Sequence, residues 1–400
     1  MRARDISFEP TRASALDRLA SFVPTAGRDY AAGRNTDLGP TAPGAVSRLS
    51  PYLRYRILTE YEVVAAVLDR HSLAAAEKFA QEVLWRTYWK GWLEMRPSVW
   101  TRFTAERAMQ RREFPSASAV LAAETGITGI EGFDDWAREL VATGYLHNHA
   151  RMWFASIWIF TLRLPWTLGA DFFLRHLIDA DAASNTLSWR WVAGLQTAGK
   201  TYLATADNIA RYTNGRFAPI GLATDATAPI EPPLPSAQSL PPRRSPGSGE
   251  RSLLLVTAED MHPESLLLGA VPVDAAIVVT GHDQLWGDAA RAFVVSAATD
   301  AAARAAAYFC CPVHTIETFD AAPILTAAHR AGVRQIVTAY APVGPVADAL
   351  AGLAPRLAAE GIALVQIRRP WDDHFWPHAT KGFFPFKDRI GPALREQGLC

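Results

Sequence analysis

Residues 177–191 read LIDADAASNTLSWRW: two aspartates, an asparagine and two tryptophans in a stretch that otherwise suits a buried helix. On a helix, Asp181, Asn185 and Trp189 fall at i, i+4 and i+8 and share one face. A helix that only fills a core carries Leu, Ile or Ala at such positions, and a solvated one does not place Trp there. A face that is acidic, amide and aromatic at once predicts a flat ligand with a polar edge.

Around this stretch, residues 10–217 keep a helical texture. Amphipathic runs such as ALDRLASF, EYEVVAAVLDRH and AAAEKFAQEVLWRTYWKGWLEM are separated by short loops, and no strand pattern interrupts them. Residues 218–250 contain PIEPPLPSAQSLPPRRSPGSGE, whose Pro, Ser and Gly content predicts an extended, mobile linker. Beyond it, short β-branched and aliphatic runs (LLLVT, AAIVVT, RQIVTAY, IALVQI) alternate with Ala-rich helical stretches, the pattern of a parallel, Rossmann-like sheet. The expected organisation is therefore a helical domain over residues 1–217, a linker over 218–250 and an α/β domain over 251–400. No GxGxxG follows the first strand run and no GxxxxGK[ST] occurs, so neither a dinucleotide fingerprint nor a P-loop is indicated.

Length and composition agree with two domains, because 400 residues exceed one ordinary core. The 13 tryptophans are concentrated before residue 192, as large cores or a large aromatic ligand would require. A formal net charge of zero argues against a strongly basic nucleic-acid binder. Positions 1–217 nevertheless hold about 26 basic against about 22 acidic side chains, a balance that permits DNA binding without requiring it. Cys310, Cys311 and Cys400 cannot build a disulfide framework, and MRARDISFEPTRAS lacks the apolar core of an export signal, so a cytoplasmic location is expected. The most apolar run, MWFASIWIFTLRL at 152–164, is too short to span a bilayer and predicts a buried helix.

Three further segments carry chemistry. In GAVSRLSPYL, Ser47 and Ser50 bracket a helix start, either as ordinary caps or as an anion site suited to a diphosphate. In FAQEVLWRTYWKGWLEM, Glu82, Trp85, Trp89 and Trp92 form one stripe with Arg86 beside Glu82; the aromatics alone suit a core, but a carboxylate among them must be paired or functional. In LHNHARMWF, Asn148, Arg151 and Met152 share a face, His147 lies one position away and His149 turns aside. A buried Arg151 needs a carboxylate, and Asp179 or Asp181 is the candidate. No HxxxH or HExxH pattern is present, so no metal is assigned.

The ordered set SRLS, ExxW, HNxxRM, LIDxDxAxN and WxW resembles the FAD-binding helical domain of the photolyase/cryptochrome family, over roughly residues 10–217. The resemblance implies that Tyr30, Ser47, Leu49, Ser50 and Arg86 hold FAD and that Arg151 and Asp179 pair beside the isoalloxazine. Asp181 would lie near its edge, Asn185 would face its N5, and Trp189 and then Trp166 would donate electrons. It further implies that Glu82 hydrogen-bonds a cyclobutane pyrimidine dimer, with Trp85 and Trp191 stacking on its bases, and that Asn148 and Met152 stand where the dimer-repairing branch has them. The expected function is blue-light-driven repair of such dimers in DNA; the alternative is a cryptochrome-type photoreceptor that signals through FAD photoreduction to a partner. An antenna chromophore in the α/β domain is possible, of unknown identity, and no membrane partner is expected.

Five departures stand out. Val46 replaces the family's threonine, Phe79 replaces a tryptophan, and His149 replaces an arginine that faces DNA in repair enzymes. A third electron-transfer tryptophan has no clear match, with Trp100, Trp136 and Trp158 as substitutes. The family places its α/β domain first, whereas here that pattern comes last and ends in HATKGFFPFKDRIGPAL, which looks like the segment closing the family's α/β domain. The resemblance therefore implies a circular permutation, tolerable where the new join is long and exposed.

Overall fold

A computed structural model describes residues 7–42, 44–113 and 118–399, so Cys400 lies outside the described residues. Helices occupy the chain from Arg12 to Tyr212, and a five-stranded sheet with flanking helices follows from Ser252. No helix among the described residues is long and apolar enough to cross a membrane.

The organising element of the helical half is the helix Leu73–Glu94. Ser72 caps its start by accepting from Ala75 N, and Pro97 opens the next helix just beyond its end. It runs from the cavity described below to the carboxyl edge of the sheet. The apolar run at 152–164 begins helical in Asn148–Ser156, widens into a π-turn over Ile157–Thr161 and stops at Arg163, which takes a positive φ of 53°.

The sheet comprises β1 (Ser252–Val256), β2 (Val273–Val279), β3 (Val313–Ile316), β4 (Gln335–Ala339) and β5 (Ala363–Ile367). All pairings are parallel and the order is β3-β2-β1-β4-β5, the doubly wound arrangement expected from alternating strand and helix runs. The four apolar runs quoted above are β1, β2, β4 and β5. The edge strand β3 escapes that reading because its four residues, VHTI, are partly exposed. Alternation splits β1 between two cores: Leu254 and Val256 join the cluster shared with the helical half, whereas Leu253 and Leu255 pack on the far side with Ile324, Leu350 and Leu353.

Ion pairs join the two halves at the carboxyl ends of β1, β4 and β5. Arg54 grips Glu259 through two hydrogen bonds of 2.8 Å. Arg56 meets both oxygens of Asp372 at 2.7 and 2.8 Å and Glu60 at 3.2 Å, while Arg369 holds Asp260. After β4, Tyr340 OH donates to Glu94 at 2.7 Å and Val343 N at 2.5 Å. Gly91 is required one turn earlier, since a Cβ there would stand 2.9 Å from Trp376. The carboxyl crevice where such sheets bind ligands thus receives side chains from the helical half.

Residues 218–250 form no helix or strand and are pinned to their neighbours rather than loose. Glu231 accepts from Arg190 at 2.5 Å and from Trp166 Nε1 at 2.9 Å, Gln238 N donates to Met95 O, and Arg96 and Arg368 donate to Pro235 O and Pro241 O. Prolines cannot donate through the backbone, so their free carbonyls recruit side chains.

Burial pushes the Glu94 carboxyl up to about 7 from 4.5. The folded chain then keeps a proton that the unfolded chain releases, so this group's contribution is complete below pH 4.5 and falls as pH rises to 7. Glu94→Gln should remove that slope. Thermal or urea unfolding across this window should show the variant gaining about 3 kcal/mol on wild type from acid to neutral pH, and parallel curves for the two proteins would refute it.

Candidate functional site

A cavity of about 480 Å³ opens between the helix Leu73–Glu94, the segment 145–152 and the segment 177–192. Every residue expected to bind FAD or pyrimidine lines it. Tyr30, Ser47, Leu49 and Ser50 come from the first segments of the helical half, and Glu82, Trp85 and Arg86 from the long helix. Asn148, Arg151 and Met152 follow, then Asp179, Asp181, Asn185 and Trp191. Of the two expected electron donors, Trp189 lines the cavity, whereas Trp166 stands behind it, stacked on Phe103 at 5.5 Å and bonded to Glu231.

The opening stretch folds as its pattern demands, with one change. Asp181 is the cap of the helix Ala182–Val192, not part of it, and accepts from Ser184 N at 2.7 Å. Asn185 donates to Ala170 O at 2.9 Å, and the Trp189 indole reaches inward over Gly169, where a Cβ would stand 2.3 Å from its ring. Among the candidate third tryptophans, Trp158 meets Trp189 edge-on at 6.3 Å. Trp136 stacks on Trp153, and Trp100 lies tilted against Phe103.

Cations gather around the two aspartates. Burial alone would raise Asp181, but Lys90 at 3.8 Å, Arg86 at 3.4 Å and Arg54 at 3.9 Å outweigh it and hold the carboxyl well below the usual range. Asp179 is the acid that pairs with Arg151, at 3.1 Å; burial again acts upward, and the charges of Arg151 and Arg86 win. Glu82 goes the other way: burial raises its carboxyl even though Arg34 sits 2.5 Å away.

The helix at Ser50 spans only Ser50–Arg54, and Ser47 Oγ accepts from Leu49 N at 3.3 Å. One expectation needs correction. His149 does not turn aside. It lines the cavity, stacked on Trp153 at 4.7 Å and Tyr212 at 5.2 Å, with Nδ1 3.1 Å from Asn35 O.

Four contributors were not singled out in the sequence. Arg34 pairs with Glu82, Tyr145 faces Arg151, Lys90 sits beneath Asp181, and Phe383 stacks on Trp85 with centroids 3.5 Å apart. Lys90 was within reach of pattern reading, because Glu82, Arg86, Lys90 and Glu94 recur every fourth residue on one helix. The other three depend on contacts distant in sequence. Several buried polar atoms here have no hydrogen-bond partner among the described residues: Asp179 Oδ1, Ser184 Oγ and Trp189 Nε1, together with Arg86 Nη1 and Lys90 Nζ, which have only their ion-pair contacts with Asp181.

Residues 79–215 match the family described as the FAD binding domain of DNA photolyase. The deoxyribodipyrimidine photo-lyase of Streptomyces griseus is 35% identical over 157 residues, covering 39% of this chain and 34% of the relative. That of Agrobacterium fabrum is 32% identical over 197 residues, covering 48% and 40%. The crystal structure of a bacterial class III photolyase from Agrobacterium tumefaciens is 26% identical, with a TM-score of 0.41, over 51% of this chain and 43% of that one. The chain thus spans well under half the length of the curated relatives it matches.

The pair Arg151–Asp179 is asymmetric, since the arginine side chain is 23% exposed and the aspartate 2%. Arg151→Gln leaves the buried Asp179 with Arg86 as its remaining cation and should cost about 2 kcal/mol or more in urea unfolding, while Asp179→Asn leaves an arginine facing water and should cost about 1 kcal/mol. Equal losses would show that the two are buried alike.

Proposed function

We propose that this chain, a member of the photolyase/cryptochrome family through residues 79–215, is a blue-light-driven FAD flavoprotein that splits cyclobutane pyrimidine dimers in DNA. The observation that carries this reading is the convergence in one cavity of two linings: Asp179, Asp181 and Asn185, suited to a flavin edge, and Glu82, Trp85 and Trp191, suited to a pyrimidine.

FAD fits the residues present. The cavity volume falls in the usual range for small-molecule sites, about 300–1,000 Å³. Asp179 Oδ1, Ser184 Oγ and Trp189 Nε1, without hydrogen-bond partners among the described residues, are buried donors and acceptors of the kind that a polar-edged ligand satisfies. Tyr30, Ser47, Leu49, Ser50 and Arg86 would hold the cofactor, with the Arg151–Asp179 pair, Asp181 and Asn185 beside its ring system. When bound and reduced, FAD would supply the light-driven one-electron chemistry that splits the cyclobutane ring.

The chain's own residues bind and orient the lesion. Glu82 Oε1 is engaged by Arg34, and its second carboxyl oxygen would hydrogen-bond the pyrimidine. Trp85 is held in place by Phe383 on one face, an arrangement that suits it to stack on a flipped base. Trp191, stacked on Tyr202 at 5.7 Å, offers a second apolar wall, and Asn148 and Met152 complete the lining.

We also read the chain order as a circular permutation of the family's. The pinned segment 218–250 leads from the helical half into β1, and the C-terminal helix Phe383–Glu396 returns to place Phe383 against Trp85.

Single-stranded DNA carrying one cyclobutane thymine dimer should be restored by the reduced protein under blue light and stay unrepaired in the dark. Glu82→Ala should keep FAD yet lose about ten- to a thousandfold in repair yield, the scale of lost hydrogen bonds to a developing anion. A wild type that bleaches and recovers in light but restores no dimer at high protein excess would make the protein a photoreceptor instead.

A further inference from the structure

The acid expected to recognise the pyrimidine is already occupied. Arg34 Nη1 lies 2.5 Å from Glu82 Oε1, and both side chains line the cavity while staying 26% and 32% exposed. Arg34 follows the short helix Arg28–Gly33 and caps it, donating its own N–H to Tyr30 O. A cation at a helix carboxyl end is favourably placed there whether or not it holds Glu82. Among the described residues, Glu82 is the acid within ion-pair distance of Arg34. The pair is therefore partly open to water, and its rupture is inexpensive provided that each partner finds a replacement.

A neutral pyrimidine offers a replacement to one side only. Its imide N–H can satisfy Glu82, but Arg34 would be left facing the cavity with no acid. A pyrimidine dimer within a nucleic acid offers both, since a phosphate oxygen pair matches the guanidinium fork. Resting on the function proposed above, we propose that Arg34 is a specificity-determining residue that exchanges partners on binding, leaving Glu82 for a substrate phosphate and thereby freeing Glu82 for the lesion. The exchange ties base recognition to backbone recognition. An isolated base dimer cannot drive it, and an undamaged strand, which supplies phosphate without a lesion to receive Glu82, gains little from it.

Dark equilibrium binding to the FAD-loaded protein tests this without any turnover, read by calorimetry with three probes: the cyclobutane thymine base dimer, the thymidine dinucleotide dimer with its bridging phosphate, and the undamaged dinucleotide. Wild type should prefer the dinucleotide dimer over the base dimer by about tenfold or more, the scale of one additional charge-assisted hydrogen bond. Arg34→Gln should collapse that ratio toward one, chiefly through weaker binding of the phosphate-bearing dimer, and Arg34→Lys should restore part of it. In wild type itself, added salt should erode the preference while leaving the base dimer's affinity level or improved, because salt screens both the Arg34–Glu82 pair and the phosphate interaction. A ratio unchanged in Arg34→Gln, or a wild-type preference indifferent to salt, overturns the exchange while leaving dimer recognition standing. A wild type that binds neither dimer more tightly than the undamaged dinucleotide overturns dimer recognition and the exchange with it.

Discussion

Arginines 54 and 56 are buried, and a buried guanidinium is tolerable only when carboxylates meet it. Those carboxylates come chiefly from the other half of the molecule. Glu259 and Asp260 leave β1, Asp372 follows β5, and Glu60 and Asp181 are the contributions of the helical half itself. Neither half can keep its own charges dry without the other, so the helical layer and the sheet are bound to one relative placement. The same lattice reaches the cavity floor, because Arg54 also donates to Ala180 O and lies 3.9 Å from Asp181, next to Arg86 and Lys90. A helical layer with these residues but without the sheet would leave Arg54 without its bidentate partner, and Asp181 would lose its alignment.

The carboxyl edge of the sheet is consequently spent on docking. In a doubly wound sheet the crevice at the switch of strand order, here between β1 and β4, is where a ligand usually sits. In this molecule Glu94 and Trp376 approach Tyr340 there, and Arg54 and Arg56 take the acids after β1. The long helix Leu73–Glu94 thus has one end in each chemistry, with Glu82 at the cavity and Glu94 at the sheet. Burial raises both carboxyls. Between them, Arg86 and Lys90 face the aspartate they hold in its charged form.

Much of this was legible in the sequence, for identifiable reasons. The cavity residues sit at helical spacings that combine charge with indole, a pattern that neither a core nor a solvated face produces, and four of the five strands are apolar runs bounded by turns. The strand β3 was not legible because an edge strand of four mixed residues lacks periodicity. Glu259 and Asp260, in the run TAEDM after β1, read as an ordinary surface turn, since only a contact spanning 205 residues reveals that Glu259 is buried against Arg54. Arg34 was hidden similarly, 48 residues from Glu82. The proline-rich segment looked mobile because composition reports what a chain cannot form internally, not which neighbours will take its free carbonyls.

The central claim is that docking of the sheet and the binding competence of the cavity are one equilibrium. Glu259 tests it best, because it belongs to the sheet half and is not among the cavity-lining residues, yet it holds Arg54. The measurement is the FAD dissociation constant of Glu259→Gln against wild type, by titration of the stripped protein. If the two are coupled, the variant should bind FAD about tenfold or more weakly, as expected for a coupling of about one to two kcal/mol between distinct sites. A variant that unfolds more easily but binds FAD with wild-type affinity would contradict the account, and the ionic lattice would then be a structural joint with no bearing on the site.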